Sequence, residues 1–541
     1  MTVDSGGTLT GDGSGKTLSI AGVGINDIKN NGTIDFTGTN SAILQTATGS
    51  SGLAFTQDIG SPSIWKFSVI DFNSIPSTFD NMTSIEMDGD ANPFQNTTAS
   101  ISGTLNCEWI FSGTTSQNIS SSNISNMNTW SSGTSTFTVN NSSSSGLTLN
   151  GDISLGGNLN INSGATLTLA GSTSALPSVS GTRSFDASST VVYSGSSSQT
   201  LTGATTFGNL ILANTASGAN KTLSINDDIT IDNTLTFTSG RIVTGSNKVI
   251  VSSGASISGA GSGTGWVAGN LQKFIPSGSS SMTFEVGTNG ASTPSLFYSP
   301  ADLSFTGVGA SGGSLIVSSS TGEHPQVSNS GLNSTQNVNR WWRFTTSGVS
   351  GTALPSFTSY DAVFNFDSSD LDAGVSTSNL FINNWSSSSW IGASTGTRSS
   401  SSTQATGITA LGEFAIGQPE PVSVTKVSSV ISDPVNGTSS PKRIPGAVIE
   451  YTVSVTTPSD AIAPSTSTQL SDDLSLASPA VSYTPGSLIV DGAAEDDDAV
   501  NGGTSNPDVG NYNTPSKTLT INLGTINPGV TKNFKYQVTI N

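Results

Sequence analysis

Short stretches in which every second residue is apolar recur along this chain. Leu147-Thr148-Leu149, Ile229-Thr230-Ile231 and Leu235-Thr236-Phe237 are examples, each bounded by Asn, Asp, Gly or Ser. Period-two alternation turns one side of a strand inward and the other outward, and no stretch holds helical apolar spacing long enough to predict a helix. Over 146–171 (GLTLNGDISLGGNLNINSGATLTLAG) and 221–260 such strands follow one another at nearly even intervals. A β-solenoid needs this pattern: each coil lays its Leu, Ile and Val on those of the next, and backbone ladders run along the stack. An up-and-down antiparallel sheet satisfies the same alternation, and the uneven repeat spacing leaves both open.

Residues 1–145 are also β-patterned, with aromatic residues concentrated around Trp65, Phe67, Phe72, Phe79, Phe94 and Trp109. They read as a β-rich domain or the start of a solenoid. Gln418-Pro419-Glu420-Pro421 is a stiff linker, because neither proline can donate a ladder hydrogen bond. The expected division is 1–145 (N-terminal β-rich), 146–264 (β-helix-like), 265–418 (β-sandwich) and 422–541 (a second β-sandwich). The expected class is all-β, with solenoid and sandwich segments followed by a C-terminal Ig-like β-sandwich.

Two resemblances support this division. The stretch 184–213 (SFDASSTVVYSGSSSQTLTGATTFGNLILAN), with LTFTSGRIVTGSNKVIV after it, resembles β-helical segments of large bacterial secreted surface proteins and adhesins. GWVAGNLQKFIPSGSSSMTFEVGTNG (265–290), NRWWRFTT (339–346) and GEFAIG (412–417) resemble a β-sandwich module that often follows such solenoids. Residues 422–541 resemble a repeat domain of unknown function common in bacterial surface proteins. The matching features are Asp433-Pro434-Val435-Asn436-Gly437, Ile444-Pro445-Gly446-Ala447-Val448, Tyr483-Thr484-Pro485-Gly486-Ser487, Leu523-Gly524-Thr525 and the closing strand Phe534–Ile540. Thr457-Pro458-Ser459-Asp460 departs from that family's Asn-Thr-Gly-rich turn and puts this loop's shape in doubt. The resemblances imply a seven-strand Ig-like sandwich and a surface location, and no chemistry.

Length and charge narrow the picture further. At 541 residues the chain exceeds one hydrophobic core. Seventeen basic against 36 acidic residues give a net charge of −19. That excludes a basic nucleic-acid footprint and argues against an anionic membrane surface as partner. Cations are the favoured small partners, although plain solubility accounts for the acidity equally well. One Cys (Cys107) rules out an intrachain disulfide, and one His (His324) removes most metal and acid–base chemistry. Cys107 reads as a small buried apolar residue and His324-Pro325 as loop punctuation. No apolar run approaches the roughly 20 residues of a membrane span. Met1 opens no signal peptide, so an exported protein is expected to be represented here by its mature form or a trimmed one.

Two acidic loops are candidate calcium sites, calcium being the one cofactor suggested. Asp88, Asp90 and Asn92 have the alternate spacing that turns oxygens to one side of a tight loop, but Pro93 replaces the usual glycine and no bidentate Glu follows. Asp491, Glu495, Asp496, Asp497 and Asp498, with Asp508 further on, form the second loop; a divalent ion would offset their mutual repulsion. Each also reads as a solvated acidic turn. A glycosidase would need two facing carboxylates about 5–10 Å apart, for which Asp227, Asp228 and Asp232 are the available residues. Trp341 and Trp342 alternate across a strand, one toward a core and one outward as a sugar platform that Trp385 and Trp390 would join, and all of them also read as core and edge aromatics. The expected function is an extracellular structural subunit of a filament, sheath or layer, with no enzymatic activity. Its expected partner is itself, head to tail through terminal strands, and the alternative is a surface adhesin that binds glycans or other cells.

Overall fold

In the computed structural model the chain is almost entirely β, with no α-helix among the described residues. Up to residue 107 the structure describes the backbone of the strands between Thr2 and Gln95 and the side chains of Ile85, Glu86 and Met87. From there it describes 108–541 except 121–135, 173–174, 291–295, 347–352, 460, 462–463, 496 and 498–508. The chain divides into two units. The first is Met1–Thr321 with Trp342–Ser369, and the second is Gly322–Trp341 with Asp370–Asn541.

The first unit contains the β-solenoid. Its strands form parallel ladders in which equivalent residues sit one coil apart. Val139 is in register with Ile161 and Ile161 with Phe185; Phe207 is in register with Ile231 and Ile231 with Val251. A second column runs Leu147, Leu167, Val191, Leu210, Leu235. All of these except Phe185 are almost fully buried, so like stacks on like and the interior is filled by side chains. The antiparallel alternative is excluded here, because every one of these pairings is parallel. Parallel ladders also join Thr8–Thr10 to Thr33–Phe36 and Gln117–Ile119 to Leu147–Leu149. Among the described residues, parallel pairing is therefore present near the start of the chain and on both sides of position 145.

The turns explain the Ser- and Asn-rich composition. Asn162 donates to Asn140, Asn233 to Asn209 and Ser178 to Ser154, each from one coil to the one before. Turn side chains that repeat once per coil thus satisfy one another along the stack. The last parallel rungs join Val267–Ile275 to Val286–Gly287, and Val267–Ile275 also takes the antiparallel strand Gly313–Thr321 as a neighbour. The return strand closes the solenoid at this point and begins antiparallel structure, with Gly278–Phe284, Ala301–Val308 and Ser359–Asn365 in one sheet.

The second unit carries a hairpin, Phe381–Ser386 with Ser389–Gly392, turned by Ser387 and Ser388 at positive φ and flanked by Glu413–Pro419. It also contains the C-terminal β-sandwich. One sheet holds Ser423–Ser432, Val448–Thr456, Thr531–Ile540, Val481–Tyr483 and Ile489–Val490; the other holds Ser465–Asp473, Thr518–Ile526 and Gly510–Asn513. Their inner faces meet on Ile449, Val453, Leu519, Ile521, Phe534 and Val538. The strand order is nested: Val448–Thr456 pairs with the last strand and Ser465–Asp473 with the one before it. The last two strands therefore lie in opposite sheets, unlike the adjacent final pair of an immunoglobulin constant domain.

Asp433 organises the turn after the first strand of this sandwich. Its carboxylate accepts from the Asn436 side-chain amide (3.0 Å) and from the backbone N–H of Asn436, Lys442 and Val435. These donors, the Asn436 amide foremost, hold the carboxyl well below the usual carboxylate range. A depressed folded-state pKa stabilises the fold above the ordinary value, about pH 4, and that stability is lost as pH falls toward the folded value. Acid titration of the melting temperature should therefore be steeper for the wild type below about pH 4 than for Asp433→Asn. Parallel titrations would refute this assignment.

Candidate functional site

The residues that carry chemistry gather at three places. The first surrounds the chain's one histidine. His324 and Pro325 lie in a loop, as the sequence suggests, and the His324 side chain is buried there. Its Nε2 lies 2.8 Å from the Glu413 carboxylate, and its Nδ1 accepts from the Gln326 N–H (3.1 Å), which sets the tautomer so that Nε2 carries a proton. Three half-buried indoles surround it. The ring centroids of Trp390 and Trp341 lie 4.9 and 5.1 Å away, edge to face, and that of Trp385 lies at 6.3 Å. Trp385 and Trp390 are cross-strand partners in the hairpin, 5.3 Å apart. The structure thus brings together three of the four tryptophans proposed from sequence. Trp342 points the other way, fully buried, and donates to the Ser299 carbonyl.

The second place is the acidic loop of the C-terminal sandwich. Asp491 sits at φ 46°, pairs with Lys532 (2.6 Å) and accepts from the Asn533 N–H. Partial burial opposes its ionisation, yet the Lys532 ammonium and the Asn533 amide outweigh this and hold the carboxyl low. Asp497 is buried and accepts from the Tyr483 hydroxyl (2.6 Å) and the Gly486 N–H (2.7 Å). Tyr483 stacks on Tyr512 at 4.3 Å, and with Asp497 they line a cleft of about 460 Å³. The Glu495 N–H bonds the Leu488 carbonyl. Asp496, Asp498 and Asp508 lie outside the described residues, as do the side chain of Asp88 and all of Asp90 and Asn92; the backbone of Asp88 ends the strand Ser84–Asp88. Among the described residues no group of three or more His, Cys, Asp or Glu side chains is arranged to hold a metal.

The third place is on the solenoid. Here Arg183–Phe185 pairs with Leu159–Ile161 on one edge and leaves its other edge, toward Thr205–Phe207, without ladder bonds. A polar cleft of about 770 Å³ opens between the two coils. Arg183 bridges it, donating to the carbonyls of Thr202 (2.8 Å) and Pro177 (3.0 Å). The three aspartates considered as a catalytic pair hold neighbouring coils instead. Asp227 accepts from the Gly203 N–H, Asp232 from Ser252, and Asp228 pairs with Lys248 at 2.5 Å.

One feature had no sequence signal. Arg340 and Asp370 form a fully buried bidentate pair, with Nε to Oδ2 at 2.8 Å and Nη2 to Oδ1 at 3.1 Å. Nothing in the sequence marks Asp370, 30 residues away, as the partner of Arg340. Comparison with protein-family models, with curated proteins and with solved structures finds no match to this chain.

Proposed function

We propose that the protein is an extracellular structural subunit of a cell-surface filament, sheath or layer. The observation that carries this reading is how its polar groups are used. Turn asparagines and serines, and Asp227, Asp228 and Asp232, bond to adjacent coils. A chain that commits its polar side chains to its own ladders is suited to bearing and spacing. The C-terminal sandwich is read as a member of the repeat domain of unknown function common in bacterial surface proteins, through its Asp433 turn and closing strand. Negative-stain microscopy of native cell-surface material, with antibody against the C-terminal sandwich, tests the proposal. Labelled regular polymers are expected, and label confined to the cytoplasm would refute it.

A second reading, an adhesin, is favoured by the three half-buried indoles around His324. Sugar rings stack on such faces. Retention on insoluble polysaccharide that Trp385→Ala abolishes would support it, and equal retention of the variant would count against it. Calcium at the acidic loops belongs to either reading. Chelation should lower the melting temperature and added calcium restore it; a melting curve indifferent to both removes calcium as a structural ion.

A further inference from the structure

Head-to-tail assembly through terminal strands was the expectation from sequence, but the closing strand Thr531–Ile540 is not available for it. Val448–Thr456 pairs along one edge, and Val481–Tyr483 with Ile489–Val490 along the other. The open edge of that sheet is its first strand, Ser423–Ser432. Among the described residues it pairs only with Val448–Thr456, and eight of its ten residues are exposed. Val424 is 48% exposed, Val427 64% and Ile431 36%. A long edge of this kind presents a row of unpaired N–H and C=O groups.

Soluble proteins blunt such edges with charge, proline, a bulge or a cover. Here few of these devices are present, the Arg443 guanidinium that bonds the Ser428 hydroxyl being one. The strand contains no proline. Its single charge, Lys426, is drawn aside: the ammonium bonds Asp472 at 2.6 Å and lies over the Tyr451 ring at 4.2 Å. A register shift between Val430 and Ser432 bulges the strand at its far end, and leaves Ser423–Val430 regular.

We propose that this edge is a joint between two copies of the chain, paired antiparallel through Val424–Val430 about a two-fold axis at Val427. The proposal rests on the structural-subunit reading and names one contact within it. Charge favours a second copy as the occupant. The chain has 36 acidic and 17 basic residues, yet this strand carries no carboxylate, so two copies meet here without acid facing acid. Register favours it too. Directly opposed residues of an antiparallel pair share a face and a hydrogen-bonding state, so odd positions meet odd and even meet even. Centring the pair on Val427 sets Val427 against itself, Val424 against Val430, Lys426 against Ser428 and Thr425 against Ser429. Centring it on Lys426 would oppose two ammonium groups, and centring it on Ser428 would set Lys426 against Val430 and Val424 against Ser432. The Val427 register alone among these three matches apolar with apolar and keeps the charges apart. The pairing is isologous, so it closes on two copies and extends an assembly only together with a second kind of contact.

The test uses the full chain in analytical ultracentrifugation. The wild type should self-associate. Val427→Lys and Val427→Asp should each weaken this by about tenfold or more, because like charges then face each other at the axis. An equimolar mixture of the two variants should associate again. Val427→Cys in a Cys107→Ser background should form a disulfide-linked species of twice 54.7 kDa on mild oxidation, because opposed Cα atoms about 4.5–5.5 Å apart are within disulfide reach. Ile431→Cys in the same background, several residues off the axis, should not. A wild type that stays monomeric at high concentration overturns the proposal, and so do variants that associate as the wild type does, or a mixture that fails to recover. If the variants associate normally while native material still shows polymers, this edge is not the joint and the structural-subunit reading stands. If native material shows none, that reading falls separately.

Discussion

Replacing Asp370 by alanine is expected to destabilise the region around Leu332–Thr346 by about 3–5 kcal/mol, because it leaves a buried guanidinium without its counter-charge. The Arg340–Asp370 pair is fully shielded, so neither water nor a surface carboxylate can take the vacated place. The cost comes mainly from the stranded charge and only partly from the lost attraction. Removing both charges should therefore be milder than removing one: Arg340→Met with Asp370→Leu is expected to recover most of the lost stability. Amide hydrogen exchange across Leu332–Thr346 reads the effect locally. Equal protection in wild type and Asp370→Ala would show that the pair contributes nothing to holding this strand.

The second large effect is expected inside the solenoid. Ile231 is completely buried between Phe207 and Val251 in its column, and Ile231→Ala should cost about 2–5 kcal/mol in transfer and cavity terms. Each coil contacts mainly its neighbours, so lost amide protection should centre on the coils carrying Phe207 and Val251 and fade with distance along the stack. Thr230→Ala, which changes a half-buried outward position next door, should stay within about 0.5 kcal/mol of wild type. Uniform loss of protection throughout the chain after Ile231→Ala would show that the solenoid unfolds as a single block.

The contrast between these sites shows what could be read from the sequence. Leu147-Thr148-Leu149 and Leu235-Thr236-Phe237 announce their strands because burial with period two is a local property of the residues themselves. Alternation alone left solenoid and antiparallel sheet both open, and it said that one of Trp341 and Trp342 turns inward without saying which; the parallel ladders and the burial of Trp342 decide both. Long-range pairing left no local trace. Nothing in Gly313–Thr321 says that it returns antiparallel onto Val267–Ile275 and closes the solenoid. Pro325 marks His324 as a loop residue, which it is, but nothing nearby announces its buried contact with Glu413, 89 positions away. The closing strand looked like an open edge, and whether a strand is central or peripheral is decided by partners elsewhere in the chain. Of the acidic residues in the second candidate loop, Asp491 and Asp497 find Lys532 and Tyr483, partners that spacing alone does not reveal.

The nested order of the C-terminal sandwich bears on how it transmits force. Ser423 and Thr531 lie at one end of Val448–Thr456, opposite Thr456, while Ser432 and Thr539 lie at the other, opposite Val448. The first and last strands therefore run parallel to each other on either side of a shared partner. Tension entering at Ser423 and leaving at Ile540 pulls them lengthwise in opposite directions. The two ladders are then loaded in shear, with all their rungs bearing at once, and not peeled one bond at a time as a hairpin is when its open ends are drawn apart. A sandwich threaded in this way holds its length under a steady pull and yields abruptly, the behaviour of a mechanical clamp in series with whatever it joins.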